Sequence, residues 1–202
     1  MADSRIVTRG VTDQNVIEAM RTVPRHRFVP DDNRAAAYGD HPLPIGYGQT
    51  ISQPSLVAMM SEALGVGPGD KVLEIGAGSG YQAAILSAMG CEVYTVEIIP
   101  DLATRAKAIL DELGYQVTVT TADGYIGWSE HAPFDGIIVT AAAEQVPGPL
   151  IEQLKDGAAL IIPVGPAGGA QTLRKITIDE DGLVSSKNLG LVRFVPFTRA
   201  RE

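Results

Sequence analysis

Short apolar stretches rich in valine and isoleucine alternate with longer amphipathic stretches through the middle of the chain. The apolar stretches predict buried strands, and the amphipathic ones predict helices. The strands are predicted at residues 71–75, 92–97, 116–120, 134–140 and 158–164. The helices are predicted at residues 54–64, 81–89, 100–113 and 149–154. Strands that alternate with helices pair in parallel through right-handed crossovers, so this region predicts an α/β fold with a doubly wound, mostly parallel sheet.

The first 51 residues do not follow this alternation. Residues 13–21 predict a short helix capped by Thr12, and residues 22–51 contain many prolines and glycines without a regular period. About thirty residues without secondary structure are unusual inside a compact domain unless they serve a function. Because aliphatic and aromatic side chains occur throughout this stretch, we interpret residues 1–51 as an N-terminal helix and loop extension that covers the core at 52–164.

Extended segments return at the C-terminal end of the chain, residues 165–202. Residues 172–178 alternate apolar and polar positions, and extended character resumes at 183–195 after an Asp181-Gly182 pair. An Asp-Gly pair between two such segments is typical of a β-hairpin. We therefore predict an antiparallel strand pair at one edge of the sheet, within the same single domain as the core.

Composition and charge narrow the classes of function. With 202 residues, 45% of them hydrophobic and 20% charged, the chain suits one globular domain. The formal net charge of −8 argues against nucleic acid as a partner, because phosphate binding requires clustered lysine and arginine. Apolar runs such as residues 137–143 are far shorter than the roughly 20 residues that cross a membrane. The N-terminus has no apolar signal core, so we expect a cytoplasmic protein that does not associate with membranes.

The sequence gives little support for metal or nucleophilic chemistry. Cys91 is the only cysteine, which excludes an internal disulfide, and its place at a strand start is typical of a buried structural thiol. His26, His41 and His131 are scattered without the spacing of metal ligands. The chain contains neither a Gly-x-Ser-x-Gly elbow nor a Walker loop. We expect no metal ion.

A glycine-rich loop follows the first predicted core strand, in the segment VLEIGAGSGYQAAIL at residues 72–86. Gly76, Gly78 and Gly80 permit positive φ angles and let the backbone approach a ligand closely. A tight turn between strand and helix without any ligand is the simpler alternative. Three alternating glycines in five residues favour the ligand-binding interpretation.

The residues around the glycines decide between two kinds of cofactor loop. The dinucleotide pattern Gly-x-Gly-x-x-Gly fits poorly, because its sixth position counted from Gly76 is Tyr81. The acid ahead of the loop, Glu74, is also foreign to that pattern. The order acid-x-Gly-x-Gly-x-Gly, with Ala77 between the first two glycines, instead resembles the first motif of S-adenosylmethionine-dependent methyltransferases.

Two further acids follow predicted strands. Glu97 ends the next strand, 21 residues after Gly76, where a carboxylate can accept hydrogen bonds from ribose hydroxyls. This holds for NAD as well as for S-adenosylmethionine. In methyltransferases of this type an acid at the place of Asp123, followed here by Gly124, takes the adenine amino group. A plain Asp-Gly turn explains the same pair, and both interpretations remain open.

Six sequence blocks, in order along most of the chain, together resemble the protein-L-isoaspartate O-methyltransferase family. The glycine loop alone indicates only the superfamily, whereas GQTISQP and DGIIVTAAA indicate the family. The blocks are FVP at 28–30, LPIGYGQTISQP at 43–54, VLEIGAGSGYQAAIL at 72–86, VYTVEIIPDLA at 93–103, GWSEHAPFDGIIVTAAAEQVP at 127–147 and IIPVG at 161–165.

The resemblance implies that the chain transfers the methyl group of S-adenosylmethionine to the free α-carboxylate of an L-isoaspartyl residue, leaving S-adenosylhomocysteine. The ester then cyclises without the enzyme to a succinimide, which reopens partly to aspartate. The resemblance also places the catalytic or substrate-binding hydroxyl at Ser52. We further expect Ile51, Gln53, Val164 and Gly165 to bind substrate, and a monomeric enzyme that acts on isoaspartyl proteins and peptides.

Two interpretations of Ser52 remain open. Serine followed by Gln53 and Pro54 is a good helix start, so Ser52 would simply cap the helix at 54–64. The same geometry presents free N–H groups and a partial positive charge, which suit a carboxylate. A carboxylate is already ionised near neutral pH and needs no general base. Ser52 would then hold one of its oxygens in position for the methyl group.

Other functions also remain open at this point. A related carboxyl O-methyltransferase, acting on an aspartate or another carboxylate of a modified peptide, would keep the same loop. A dehydrogenase would need the dinucleotide loop that Tyr81 disfavours. A non-catalytic cofactor-binding module would keep the glycines and Glu97 but would have no need of Ser52.

Overall fold

Strands and helices alternate through the centre of the chain. The computed structural model describes residues 10–179 and 181–200, and the rest of the two predicted extensions lies outside it. The strands are β1 (Leu43–Gly46), β2 (Gln49–Ile51), β3 (Lys71–Ile75), β4 (Glu92–Glu97), β5 (Val117–Thr121), β6 (Phe134–Val139), β7 (Leu154–Val164), β8 (Gln171–Ile178) and β9 (Val184–Val192). The α-helices are α1 (Gln14–Thr22), α2 (Pro54–Leu64), α3 (Tyr81–Ala88), α4 (Pro100–Glu112) and α5 (Gly148–Ile151), and short 3-10 helices lie at Arg25–Phe28, Asp31–Ala36, Gly124–Ile126 and Ser129–His131.

Strands β3 to β9 form one sheet in the order β5-β4-β3-β6-β7-β8-β9. Strands β3 to β7 pair in parallel, whereas β8 pairs antiparallel with both β7 and β9. These pairings confirm the predicted doubly wound sheet with an antiparallel pair at one edge. The chain runs outward from β3 through β4 to β5 and then continues from β6 on the other side of β3. The carboxyl ends of β3 and β6 therefore border a crevice, the usual place for a ligand in such sheets.

Two apolar clusters fill the two faces of the sheet. Successive strand residues point to opposite faces, so Val72 joins the cluster that contains residues of α1 to α4, while Leu73 joins the other. Phe28 and Leu43 of the N-terminal segment belong to the first cluster, so this segment packs onto the core. None of the helices in the described ranges has the length and apolar character needed to cross a membrane.

Several predicted element boundaries differ from the structure, among them the end of the last strand, which stops at Val192 instead of residue 195. The cap of α1 is Asp13 rather than Thr12, because the Asp13 carboxylate accepts hydrogen bonds from the first-turn N–H groups of Asn15 and Val16. Thr12 instead donates its hydroxyl proton to Glu62 of α2, at 3.1 Å. The helix predicted at 149–154 is only the four-residue α5, and β7 begins at residue 154 because Leu154 already pairs with β6.

The N-terminal segment contains a β-hairpin that the sequence did not predict. Strands β1 and β2 pair antiparallel and are joined at Tyr47 and Gly48, whose φ angles are 54° and 70°. Two consecutive positive φ angles define the tight hairpin turn, for which Asn-Gly or Asp-Gly would be the usual sequence. Ile45 is fully buried and lies on the glycine loop, where its Cδ1 would be 3.6 Å from a Cβ at Gly78. The hairpin therefore covers the edge of the crevice.

Candidate active site

A cleft that is partly open to solvent lies at the carboxyl ends of β3 and β6. Its walls come from the glycine loop after β3, the end of β4, strand β2, and a C-terminal segment at residues 195–198. The predicted site residues that line it are Ile51, Ser52, Glu74, Gly76, Ala77, Gly78, Glu97 and Gly124. The fold thus brings the candidate cofactor residues and Ser52 to one cavity.

The glycines of the loop avoid steric contacts with different neighbours. Gly76, Gly78 and Gly80 have φ angles of 95°, 53° and 85°, which disfavour side chains at all three positions. At Gly76 a Cβ would also lie 2.5 Å from Thr140 Oγ1, so alanine does not fit. Gly80 lies behind the cleft, where a Cβ would be 3.3 Å from that of Ala106 in α4. Gly76 therefore leaves room for the Thr140 side chain, and Gly80 allows α3 to begin close to α4.

The carboxylate of Glu97 ties the glycine loop to the end of β4. It accepts hydrogen bonds from Gly78 N–H at 2.8 Å and from Ile99 N–H at 3.0 Å. An ionised carboxylate offers about four acceptor sites, so two bonds leave roughly half of its capacity. Glu97 lines the cleft, and hydroxyl groups of a ligand can use the remaining lone pairs.

The carboxyl group of Glu74 is fully buried at the floor of the cleft. Its Oε2 accepts the hydroxyl proton of Thr95 at 2.5 Å, but its Oε1 has no hydrogen-bond partner among the described residues. Burial raises the pKa of Glu74 to about 8, and the neighbouring carboxylate of Glu97 adds to the rise while the Thr95 hydrogen bond opposes it. Burying an acceptor without a hydrogen-bond donor costs free energy. A ligand that brings a positive charge or an N–H group to Glu74 would therefore stabilise its ionised form.

Asp123 forms the predicted turn and does not itself line the cleft. Its Oδ1 accepts from Tyr125 N–H at 3.0 Å, and its Oδ2 accepts from Arg199 Nε at 2.9 Å and Ala200 N–H at 3.2 Å. Partial burial favours a higher pKa for Asp123, but these hydrogen bonds outweigh it and lower the pKa. Gly124 does line the cleft, and a Cβ there would collide with Ile75. The adenine role of Asp123 stays a prediction.

Ser52 lies in the cleft wall but is not the cap of α2, so that interpretation is wrong. The N-cap residue is Gln53, whose side chain does not bond the helix N–H groups. Asp40, from the segment before the hairpin, caps the helix instead: its carboxylate accepts from Ser55 N–H at 3.0 Å and from Ser55 Oγ at 2.8 Å. The hydroxyl of Ser52 has no hydrogen-bond partner among the described residues and is available to a ligand.

The family is decided by comparison with known proteins. The model of the family "Protein-L-isoaspartate(D-aspartate) O-methyltransferase" matches residues 2–202. The chain belongs to this family. A protein-L-isoaspartate O-methyltransferase from Gloeobacter violaceus is 56% identical over 202 residues, which cover 100% of this chain and 98% of the relative. A protein of the same name from Opitutus terrae is 54% identical over 202 residues, covering 100% and 86%.

Solved structures of protein-L-isoaspartate O-methyltransferases have the same fold. One superposes with a TM-score of 0.87 at 30% identity, over 97% of this chain and 65% of that chain, so the present chain spans about two thirds of its length. A second, from Plasmodium falciparum and in complex with S-adenosyl-L-homocysteine, superposes with a TM-score of 0.82 at 25% identity, over 98% and 96%. The likeness confirms the predicted α/β fold with a doubly wound sheet, which is a Rossmann-like methyltransferase fold.

Three residues predicted to bind substrate lie outside the cleft lining. Gln53 donates its side-chain amide to Ser55 Oγ at 3.0 Å. Val164 forms a bridge with Ala143, and Gly165 N–H donates to Ala143 O at 2.9 Å. The contacts of Val164 and Gly165 with Ala143 join the end of β7 to the loop after β6. The substrate role of these three residues remains a prediction.

The cleft also contains residues that the sequence did not single out. The C-terminal segment reaches the site because Ala142 N–H donates to Val195 O and Phe197 N–H donates to Ala142 O, both at 2.8 Å. Beyond it, the Arg199 guanidinium stacks 3.7 Å from the centre of the Tyr125 ring. A pairing over more than fifty residues leaves no local signal, so sequence patterns could not have revealed this wall.

Metal-ligating residues do not converge in the described ranges. Within them, no group of three or more His, Cys, Asp or Glu side chains is arranged to hold a metal ion. His26 hydrogen-bonds Tyr38 at 2.7 Å, and His131 packs against Tyr94 with ring centres 4.2 Å apart. Cys91 is buried as predicted, and burial raises the pKa of its thiol to about 12. His26, His131 and Cys91 therefore have structural surroundings.

Proposed function

We propose that this chain transfers the methyl group of S-adenosylmethionine to the free α-carboxylate of L-isoaspartyl residues in damaged proteins and peptides, which begins their repair through a succinimide. Family membership over residues 2–202 supports this reaction. The single structural observation that carries it is the position of Ser52. Ser52, whose hydroxyl has no hydrogen-bond partner among the described residues, lines the same cleft as the glycine loop and the two buried acids of β3 and β4.

The residues of the cleft fit S-adenosylmethionine. When bound, this cofactor supplies an activated methyl group on a cationic sulfur and leaves as S-adenosylhomocysteine. Gly76, Ala77 and Gly78 would border its amino-acid part, and Glu97 would accept hydrogen bonds from its ribose hydroxyls. The unpartnered oxygen of Glu74 offers an acceptor to a positively charged group. Gly124, beside Asp123, would lie at the adenine, with Asp123 as the acceptor of its amino group.

Ser52 would orient the substrate carboxylate rather than activate it. The carboxylate is ionised at neutral pH, so no general base has to remove a proton from it. A hydrogen bond from Ser52 Oγ to one oxygen would fix the other oxygen in line with the methyl group. The N-terminus of α2 cannot hold this carboxylate at Ser55, because Asp40 already accepts the Ser55 N–H. The Ser52 hydroxyl is therefore the main donor that the α2 end offers.

The N-terminal segment would cover the bound molecules. Residues of β2 line the cleft and lead directly into Ser52, so the covering segment ends at the residue that would orient the substrate carboxylate. We further propose a monomer in the cytoplasm that acts on isoaspartyl proteins and peptides, without a metal ion and not on nucleic acids. The net charge of −8 supports the last point, because it repels a polyanion.

The test is transfer of labelled methyl from S-adenosylmethionine to an isoaspartyl peptide and to its aspartyl twin. We expect a base-labile methyl ester on the isoaspartyl peptide alone. Equal labelling of both peptides would favour a less selective carboxyl methyltransferase. Labelling of neither, by a protein that still binds the cofactor, would contradict the proposed reaction.

A further inference from the structure

Thr140 connects the glycine loop to the strand on its other side. It follows directly after β6, and its Oγ1 lies 2.6 Å from the carbonyl oxygen of Gly76 and 3.1 Å from that of Ile75. Its N–H donates to Ile75 O at 3.0 Å. The single hydroxyl proton is therefore directed chiefly at the shorter contact, the Gly76 carbonyl.

Among the described residues, Thr140 alone hydrogen-bonds the peptide group between Gly76 and Ala77. Gly76 has a φ angle of 95° and no side chain, so its own conformational preferences do not fix the loop. Its N–H is held by Val96 O of β4 at 2.7 Å. Thr140 holds its carbonyl from β6, so the first loop residue is fixed from both neighbouring strands.

The orientation of this peptide group affects the surface offered to a ligand. A peptide bond is planar, so fixing the carbonyl of Gly76 also fixes the direction of the N–H of Ala77. Gly76, Ala77 and Thr140 all line the cleft. Threonine is suited to the task because its branched Cβ restricts χ1 and holds the hydroxyl in place.

We propose that Thr140 is a positioning residue for the cofactor, which acts by fixing the peptide group between Gly76 and Ala77. The proposal rests on the proposed function, because it takes the ligand of the loop to be S-adenosylmethionine or its product. Thr140 acts on cofactor affinity through the loop, whereas Ser52 acts on the substrate carboxylate. Changes at Thr140 therefore affect the cofactor and leave binding of the isoaspartyl peptide largely unaffected.

The test compares Thr140→Val with Thr140→Ser by calorimetric titration with S-adenosylhomocysteine. Valine has the shape of threonine but lacks the hydroxyl, so we expect its Kd to rise about three- to tenfold, as for the loss of one hydrogen bond. Serine keeps the hydroxyl and should restore binding to within about twofold. Thr118→Val, on the exposed side of β5, is the matched control and should bind like the wild type.

A second measurement separates positioning from a general structural role. The KM for the isoaspartyl peptide should change less than about twofold in Thr140→Val. A change this small is below the effect of losing one hydrogen bond to the peptide. Wild-type affinity in the valine variant, or equally weak binding by the serine variant, would overturn the proposal. A parallel rise of cofactor Kd and peptide KM would also overturn it. Failure of the wild type to bind S-adenosylhomocysteine would instead contradict the proposed function.

Discussion

Replacing Glu74 with glutamine should remove a pH dependence of stability that the wild type shows near neutral pH. Glu74 is fully buried, and burial raises the pKa of its carboxyl group from 4.5 to about 8. Between these two values the folded protein retains a proton that the unfolded chain has lost. The free energy of unfolding must therefore fall as the pH rises through this window.

The size of the effect follows from the two pKa values. One pKa unit corresponds to about 1.4 kcal/mol, so the shift from 4.5 to about 8 is equivalent to about 5 kcal/mol between the two protonation limits. At pH 7 the free energy of unfolding of the wild type is therefore about 3 kcal/mol lower than at a pH well below 4.5, as far as Glu74 alone is concerned. Glutamine has the same shape and cannot ionise. Its Oε1 can still accept the hydroxyl proton of Thr95, as Glu74 Oε2 does.

The assay is urea unfolding followed by the fluorescence of Trp128, without cofactor, from pH 5 to pH 8.5. We expect the free energy of unfolding of Glu74→Gln, relative to that of the wild type, to rise by several kcal/mol between pH 5 and pH 8.5. The three histidines are common to both proteins, so their contributions cancel in the difference. Of the described residues, Thr95 and Glu97 are the groups that act on the Glu74 carboxyl.

Asp135→Asn is the matched control. Partial burial favours a higher pKa for Asp135, but its contacts with Lys155 and Lys71 outweigh it and lower the pKa. The stability that Asp135 contributes is therefore lost only as the pH falls through its folded pKa, below the window of Glu74. The control should run parallel to the wild type above pH 5. If the Glu74→Gln curve is also parallel, the assignment of a raised pKa to Glu74 is refuted.

Two further predictions concern the approach to α2. Ser52→Ala should lower the rate of methyl transfer by at least about tenfold, because the orienting hydrogen bond is lost. The Tm should change little, because Ser52 does not cap the helix. Near wild-type turnover would leave Ser52 no catalytic role. Asp40→Ala should reduce the free energy of unfolding by about 1–2 kcal/mol through loss of the Ser55 cap. The exposed Asp32→Ala is its control in urea unfolding, and equal losses would contradict the capping role.

The sequence predicted the parts of the fold that depend on local patterns. The bounds of β3, β4 and α2 are those expected, because apolar runs are interrupted there by glycine, proline and charged residues. The hairpin was not predicted, because Tyr47-Gly48 lacks the asparagine or aspartate that usually signals such a turn, and Pro44 lies within its first strand.

Contacts between distant segments were beyond the reach of sequence patterns. Asp40 and Ser55 are fifteen residues apart, and a serine two positions before a proline gave a more obvious candidate cap. The glycine loop and the strand-end acid could be placed in one site, because the carboxyl ends of parallel strands meet at one edge. The position of Thr140 opposite Gly76 depends on which strand lies next to β3, which only the sheet order reveals.

The most direct test of the proposed repair reaction follows the fate of the peptide itself. A purified isoaspartyl peptide is incubated with the enzyme and S-adenosylmethionine, and its isomers are separated by chromatography over several hours. The account predicts that the isoaspartyl form declines, that a succinimide appears, and that the normal aspartyl peptide accumulates only when both enzyme and cofactor are present. An isoaspartyl peptide that stays unchanged, or an aspartyl twin that is consumed at the same rate, would contradict it.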